Sequence, residues 1–203
     1  MFLYFDLGNV LLHFDHQRAC RQVAEAARID VATARKALFD DGLQWRYESG
    51  ELDTPRFCRA FAEATAANIS DEALLHALSD IFETNRSMIP VVGHLDAAGH
   101  RLGILSNTCE AHWRHVTARY YGLIPAAFDV VALSYEAKAM KPDRRFFDHA
   151  ARLAGVPPRD IFYVDDIPGH VEGARGAGFD AVPYTTTRAL VDDLRERGVR
   201  FNY

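Results

Sequence analysis

The sequence predicts an α/β protein: a parallel sheet flanked by helices and interrupted once, near the N-terminus, by a helical subdomain. Three observations predict it. From about residue 90 onward, short apolar runs alternate with helical stretches, the rhythm of right-handed βαβ units. The first apolar run, FLYF, shows no polar alternation, as expected of a strand covered on both faces. Between Asp15 and Ser87, apolar residues recur instead at helical spacing, with almost no strand signal.

Leu3–Phe5 is expected as the first strand, with Asp6 at its carboxyl end. In the stretch that follows, Cys20, Val23, Ala24 and Ala27 mark one helix face. Asp30 can cap a helix running through Ala37 and Leu38. Asp53-Thr54-Pro55 starts another, with Pro early, where a missing N–H does little harm. Ser70-Asp71-Glu72 opens a third, through Leu74, Leu78 and Phe82. A helix then ends near Gly99, and RLGILS (101–106) is a strand. A helix around Ala111–Tyr120 leads to the strand VVALS (130–134). Pro142-Asp143 opens a helix that stops at Gly155. IFYVDD (161–166) is a strand, Gly169–Ala177 a helix, DAVPY (180–184) a strand, and a last helix runs through Leu190–Arg197. The expected organisation is a Rossmann-like core at residues 1–14 and 88–203 around a helical insert at 15–87.

The totals exclude several function classes. The net charge of −5 and the lack of a basic stripe argue against a nucleic-acid partner. No apolar run approaches the roughly 20 residues of a membrane span. The start, MFLYFDLG, lacks a basic leader and meets an acid at once, so no secretory signal is expected. Cys20, Cys58 and Cys109 are scattered and odd in number, which suits free thiols in a reducing cytoplasm rather than a disulfide framework.

Open parallel sheets bind ligands outside the carboxyl ends of their strands. Those ends supply Asp6-Leu7-Gly8-Asn9, Ser106-Asn107-Thr108, Lys141-Pro142 and Asp165-Asp166. Each alone is an ordinary turn or cap. Two adjacent acids, however, are costly unless a cation or solvent intervenes. Together the set makes an acidic pocket with a hydroxyl, an amide and a lysine, suited to Mg²⁺ and a phosphate. Receiver domains use similar residues, but with the acidic pair first and without a large insert.

FDLGNVL, LSNT, MKPD and VDDIPGHVEGARGAG, in this order and spacing, resemble the haloacid dehalogenase-like hydrolase superfamily over essentially the whole chain. Within it, the chain resembles the helical-cap phosphatases that include the phosphatase domain of soluble epoxide hydrolase and a bacterial glucose-1-phosphate phosphatase. The resemblance implies an Mg²⁺-dependent phosphatase acting on a small phosphorylated metabolite, a sugar phosphate among the options. Asp6 would be the nucleophile, Ser106 and Asn107 would hold the phosphoryl oxygens, and Lys141 would neutralise charge, with Lys138 as its rival in the same loop. Asp6, the Gly8 carbonyl, Asp165 and Asp166 would bind Mg²⁺, Asp165 either directly or through water. His170 stands where many relatives have Asn. The turn WRYESGELD (45–53), expected to join two cap helices, offers Arg46, Tyr47 and Glu48 for substrate recognition, with Arg86 a weaker candidate.

Gly8 departs from the pattern, because relatives usually carry a second Asp there as general acid. His13, Asp15, His16, Glu48 or a water between them are the substitutes within reach, and an acid restored at position 8 is expected to supply the donor again. The alternatives are a catalytically weak phosphate-binding protein and a haloacid dehalogenase. The latter would have no use for Asp165-Asp166, since it works without Mg²⁺.

Overall fold

The computed structural model describes residues 1–120, 122 and 124–203. Its centre is a five-stranded sheet: β1 (Phe2–Phe5), β4 (Arg101–Ser106), β5 (Val130–Leu133), β6 (Ile161–Asp165) and β7 (Asp180–Pro183). The strand order is β5-β4-β1-β6-β7, and every pairing is parallel. β1 lies in the middle, with Phe5 beside Ile104 on one side and Val164 on the other.

The all-apolar first strand is explained by this position. Side chains alternate across a strand, so Leu3 and Phe5 enter one core while Phe2 and Tyr4 enter the other. The first core includes α6 (Met88–Ala97), α7 (Glu110–Arg119) and α11 (Thr187–Glu196); the second includes α9 (Arg144–Ala154) and α10 (Pro168–Gly176). Tyr4 keeps its buried hydroxyl satisfied by donating to the Ala150 carbonyl at 2.9 Å.

A second, two-stranded antiparallel sheet joins β2 (Leu12–Phe14) to β3 (Phe82–Thr84), with Phe14 opposite Phe82. Neither strand was expected. Three residues are too few to show a period, and Phe82 also fits the end of a helical face. Between them in the chain run α1 (His16–Ala27), α2 (Val31–Arg35), α3 (Leu43–Glu48), α4 (Thr54–Thr65) and α5 (Asp71–Ser79). Asp15, Asp30, Asp53 and Ser70 cap four of these by accepting backbone N–H groups. The helix expected through Ala37 and Leu38 instead widens into a π turn at Lys36–Asp40. The turn WRYESGELD is partly helical, since Trp45 to Glu48 belong to α3. Ser134, expected as the end of a strand, opens the short helix α8 (Ser134–Ala137). Among the described residues no helix is long and apolar enough to cross a membrane.

Candidate active site

Asp6 directly follows β1, and its backbone N–H donates to the Val164 carbonyl at 2.9 Å, holding it in line with the sheet. Its Oδ1 accepts the Leu7 N–H at 2.7 Å and lies 2.8 Å from Lys141 Nζ. The same ammonium lies 2.7 Å from Asp165 Oδ2, 2.9 Å from the Tyr163 hydroxyl and 3.1 Å from the Leu105 carbonyl. Lys141 therefore bridges the ends of β1, β4 and β6. Lys138 does not reach Asp6; it donates to the Gly50 carbonyl at 2.6 Å.

The Asn107 side chain clasps the Lys141 backbone. Its Oδ1 accepts the Lys141 N–H at 2.8 Å, and its Nδ2 donates to the Lys141 carbonyl at 3.0 Å. This side chain, expected on the substrate, is thus spent on positioning the lysine. Ser106 is 2% exposed and borders the cavity described below.

Charge in this cluster is set by burial and by its one lysine. Burial pushes the Asp6 carboxyl up to about 7, against the pull of Lys141 and with the help of the Asp165 charge. Burial also opposes the charge on Lys141, but Asp6 and Asp165 outweigh it and hold the ammonium above its ordinary value. Burial opposes ionisation of Asp165 too, yet Lys141, His170 and Tyr163 hold it well below the usual carboxylate range. His170 Nδ1 lies 3.1 Å from Asp165 Oδ2, and the Ile167 N–H donates to Oδ1 at 2.8 Å. Asp166 Oδ2 accepts from Asn9 Nδ2 at 2.9 Å.

Asp6, Asp165 and Asp166 each offer a carboxylate oxygen within 4.8 Å of the others. Three acids against one lysine leave two negative charges, and the donors are hard oxygens. This set fits a divalent cation such as Mg²⁺. Asp165 already accepts several hydrogen bonds, so Asp166 has more freedom to ligate.

A small cavity of about 50 Å³ opens where the sheet ends face the insert. Gly8, Ser106, Asn107 and Thr108 line its sheet side; Phe14, His16 and Glu48 line the other. A larger cleft of about 670 Å³, beside α6 and the C-terminus, shares no residue with it. A Cβ on Gly8 would lie 2.8 Å from Cε1 of Phe14, so the Phe14 ring fills the place of a side chain there. The left-handed backbone sits one residue later, at Asn9, with φ of 54°.

Of the expected recognition residues, only Glu48 lines the cavity. Arg46 pairs with Glu51 at 2.7 Å on the surface, and Arg86 is exposed beside Arg18 and Glu83. Tyr47 is core: its ring stacks on Phe57, and its hydroxyl meets Thr54 Oγ1 at 2.6 Å and the Ala111 N–H at 3.1 Å. Consecutive residues of a helix point about 100° apart, so Arg46 faces outward while Tyr47, next to it, faces inward.

Glu48 Oε1 accepts from Gln44 Nε2 at 2.8 Å, and burial pushes its carboxyl up to about 7. The end of α3 is latched to the sheet side. Ser134 Oγ donates to the Glu48 carbonyl at 2.6 Å, and Gly50, with φ of 68°, packs so closely that a Cβ would collide with the Tyr135 carbonyl.

Asn9, Phe14, Tyr163 and His112 belong to this neighbourhood and were missed from the sequence. For Tyr163 a signal existed, since it lies two residues before Asp165 and so on the same face of β6.

The haloacid dehalogenase-like hydrolase family model matches residues 3–178. The fructose-1-phosphate phosphatase YqaB of Escherichia coli is 25% identical over 89% of this chain and 94% of its own. A predicted HAD-like family hydrolase from Porphyromonas gingivalis shares the fold with a TM-score of 0.81, 23% identity and coverage of 95% and 97% of the two chains. A HAD family enzyme from Bacteroides thetaiotaomicron, in complex with magnesium and inorganic phosphate, does so with a TM-score of 0.79, 23% identity and coverage of 90% and 93%. With Asp6, Lys141 and the Asp165-Asp166 pair gathered at the ends of a parallel sheet, and with the match spanning most of its length, this chain belongs to the haloacid dehalogenase-like hydrolases.

Proposed function

We propose that this protein is an Mg²⁺-dependent phosphatase of small phosphate esters, working through an aspartyl-phosphate on Asp6. The observation that carries it is the buried Asp6–Lys141–Asp165 array beside Asp166, with a net excess of acid at the carboxyl ends of the central strands. The similarity to a fructose-1-phosphate phosphatase supports a sugar phosphate as substrate class. The free, buried cysteines suit a cytoplasmic setting.

In this reading Asp6 Oδ attacks phosphorus and the ester oxygen leaves; water then attacks the aspartyl-phosphate and frees inorganic phosphate. Lys141 stays protonated and offsets charge on Asp6 and the phosphoryl oxygens. Ser106 borders the cavity where those oxygens would lie. Asp6, the Gly8 carbonyl, Asp165 and Asp166 would hold Mg²⁺, which when bound supplies charge neutralisation of the phosphoryl group. The α1–α5 segment, residues 15–87, serves as a cap that excludes water from the site.

The test is a panel of phosphate esters assayed with Mg²⁺. Turnover is expected to vanish with chelator and in Asp6→Asn, which is nearly isosteric, while Asp166→Ala should mimic chelation. Hydrolysis that persists undiminished in Asp6→Asn or in chelator overturns the reading. Mg²⁺ binding without turnover of any ester would leave a phosphate-binding protein instead.

A further inference from the structure

The site lacks an acid where the leaving oxygen would depart. Gly8 offers no side chain, and the Phe14 ring occupies the space that one would need. Among the described residues that line the cavity of about 50 Å³, Glu48 is the only one with a carboxyl, and Gly8 and Ser106 line the same cavity. We propose that Glu48, carried on α3 of the insert, is the proton donor to the leaving oxygen; this role rests on the phosphatase reading above.

The step balances as follows. As an Asp6 oxygen bonds phosphorus, the P–O ester bond breaks. Its electron pair stays on the ester oxygen, which takes the Glu48 proton and leaves as an alcohol. In the second half, the Glu48 carboxylate takes a proton from water as the water oxygen bonds phosphorus. The bond to Asp6 breaks with its pair returning to the Asp6 carboxylate, and Glu48 is protonated again.

The other substitutes fit less well. His13 is exposed and pairs across β2–β3 with Glu83. Asp15 is an exposed helix cap that accepts the Gln17 N–H at 2.8 Å. Neither borders the cavity. His16 does, but it stacks against Phe14 and Phe39, with ring centres 4.8 and 4.6 Å away, and loss of water there lowers its pKa. With its pKa below the ordinary imidazole value, it holds a proton less well near pH 7 than Glu48 does.

The surroundings of Glu48 leave its proton in place. Gln44 donates to one oxygen only. The Cys109 thiol is buried and pushed up, so it stays uncharged. His112, on α7, is pushed down to about 3 by burial and is neutral. Lys138 spends its ammonium on the Gly50 carbonyl, and Glu110 bonds Thr54. Burial then holds the Glu48 carboxyl near 7, half-protonated at neutral pH.

The deciding experiment compares Glu48→Gln with the unsubstituted protein on two esters, an alkyl phosphate and p-nitrophenyl phosphate. An alkoxide is a poor leaving group without a proton; nitrophenolate departs as an anion. The expected result is a fall in kcat/KM of about 100-fold or more on the alkyl ester and less than about ten-fold on the nitrophenyl ester. The ratio of the two is taken on one preparation, so a partly unfolded variant does not disturb it. On the alkyl ester, kcat/KM of the unsubstituted protein should fall above about pH 7, and that limb should be missing in Glu48→Gln. Equal losses on both esters, a limb that survives the substitution, or a selective alkyl defect in His16→Asn with Glu48→Gln unaffected would each overturn the assignment. Failure of the phosphatase reading itself looks different: the unsubstituted protein would then turn over neither ester.

Discussion

Position 8 holds a glycine, and a neighbour occupies the space that a side chain there would need. The Phe14 ring lies where a Cβ would come within 2.8 Å of it, so restoring an Asp there is not the simple repair that the sequence suggests. Gly8→Asp is expected to destabilise the protein by about 1–3 kcal/mol, the usual cost of overfilling a packed site. Phe14→Ala carries a loss of its own, but measured against Phe14→Ala alone the added Gly8→Asp should cost less, because the ring that it strikes is gone. Thermal unfolding of these variants checks this; Gly8→Asp alone with unchanged stability would mean that the ring moves aside freely. The obstacle is steric, because the left-handed φ falls on Asn9 and not on Gly8.

Among the elements, α3 is short, yet it ties the insert to the sheet. Ser134 Oγ holds the Glu48 carbonyl, Lys138 Nζ holds the Gly50 carbonyl, and Gly50 is close enough to Tyr135 that only glycine fits. Gly50→Ala is therefore expected to prop this contact apart. It should raise hydrogen exchange in α3 and raise KM more than it lowers kcat for a nitrophenyl ester. Unchanged exchange in α3 would show that the latch tolerates a methyl group. The same elements show what the sequence could and could not reveal. The five sheet strands were legible because each is a dense apolar run, and three helix starts were legible from Asp30, Asp53 and Ser70, whereas the cap at Asp15 was not singled out. Asp6 and Asp165-Asp166 were legible because they stand at strand ends, and Lys141 because it precedes Pro142 in the region that follows β5. β2 and β3 were not, being short and held by pairing with each other rather than by any period of their own. Nor was the fate of Arg46, Tyr47 and Asn107, whose side chains are claimed by Glu51, Thr54 and the Lys141 backbone. Such partners are set by tertiary approach, which no local pattern encodes.

For the whole molecule, a half-buried carboxyl shielded from water contributes to global stability as well as to chemistry. Glu48 titrates near 7 when folded, against an ordinary 4.5. Between these values the native state keeps a proton that the unfolded chain has released, so stability falls as pH rises through that window. The gap, 7 − 4.5 = 2.5 pH units, corresponds to about 3 kcal/mol at ~1.36 kcal/mol per unit. Glu48→Gln carries no such proton. Its stability relative to the unsubstituted protein should rise by up to about 3 kcal/mol between pH 4.5 and 8, as read from urea unfolding across that range. Asp6, also raised, is present in both proteins and cancels. A difference that does not vary with pH would place the Glu48 carboxyl in water.

The latch at Gly50 sits two residues from Glu48, on the same end of α3. In the proposed reaction the nucleophile would belong to the sheet and the proton donor to the insert, so its two halves would sit on separate parts of the chain like two keys to one lock. In the structure Glu48 lines the cavity together with Gly8 and Ser106, and Asp6 stands two residues before Gly8 at the end of β1. On that reading, swinging the insert away would leave Asp6 in place and carry the donor off with α3, and an ester of a poor leaving group would then go uncut. Selectivity then comes from timing: an ester that lets the insert close over it is offered the proton, and one that holds it open is returned intact.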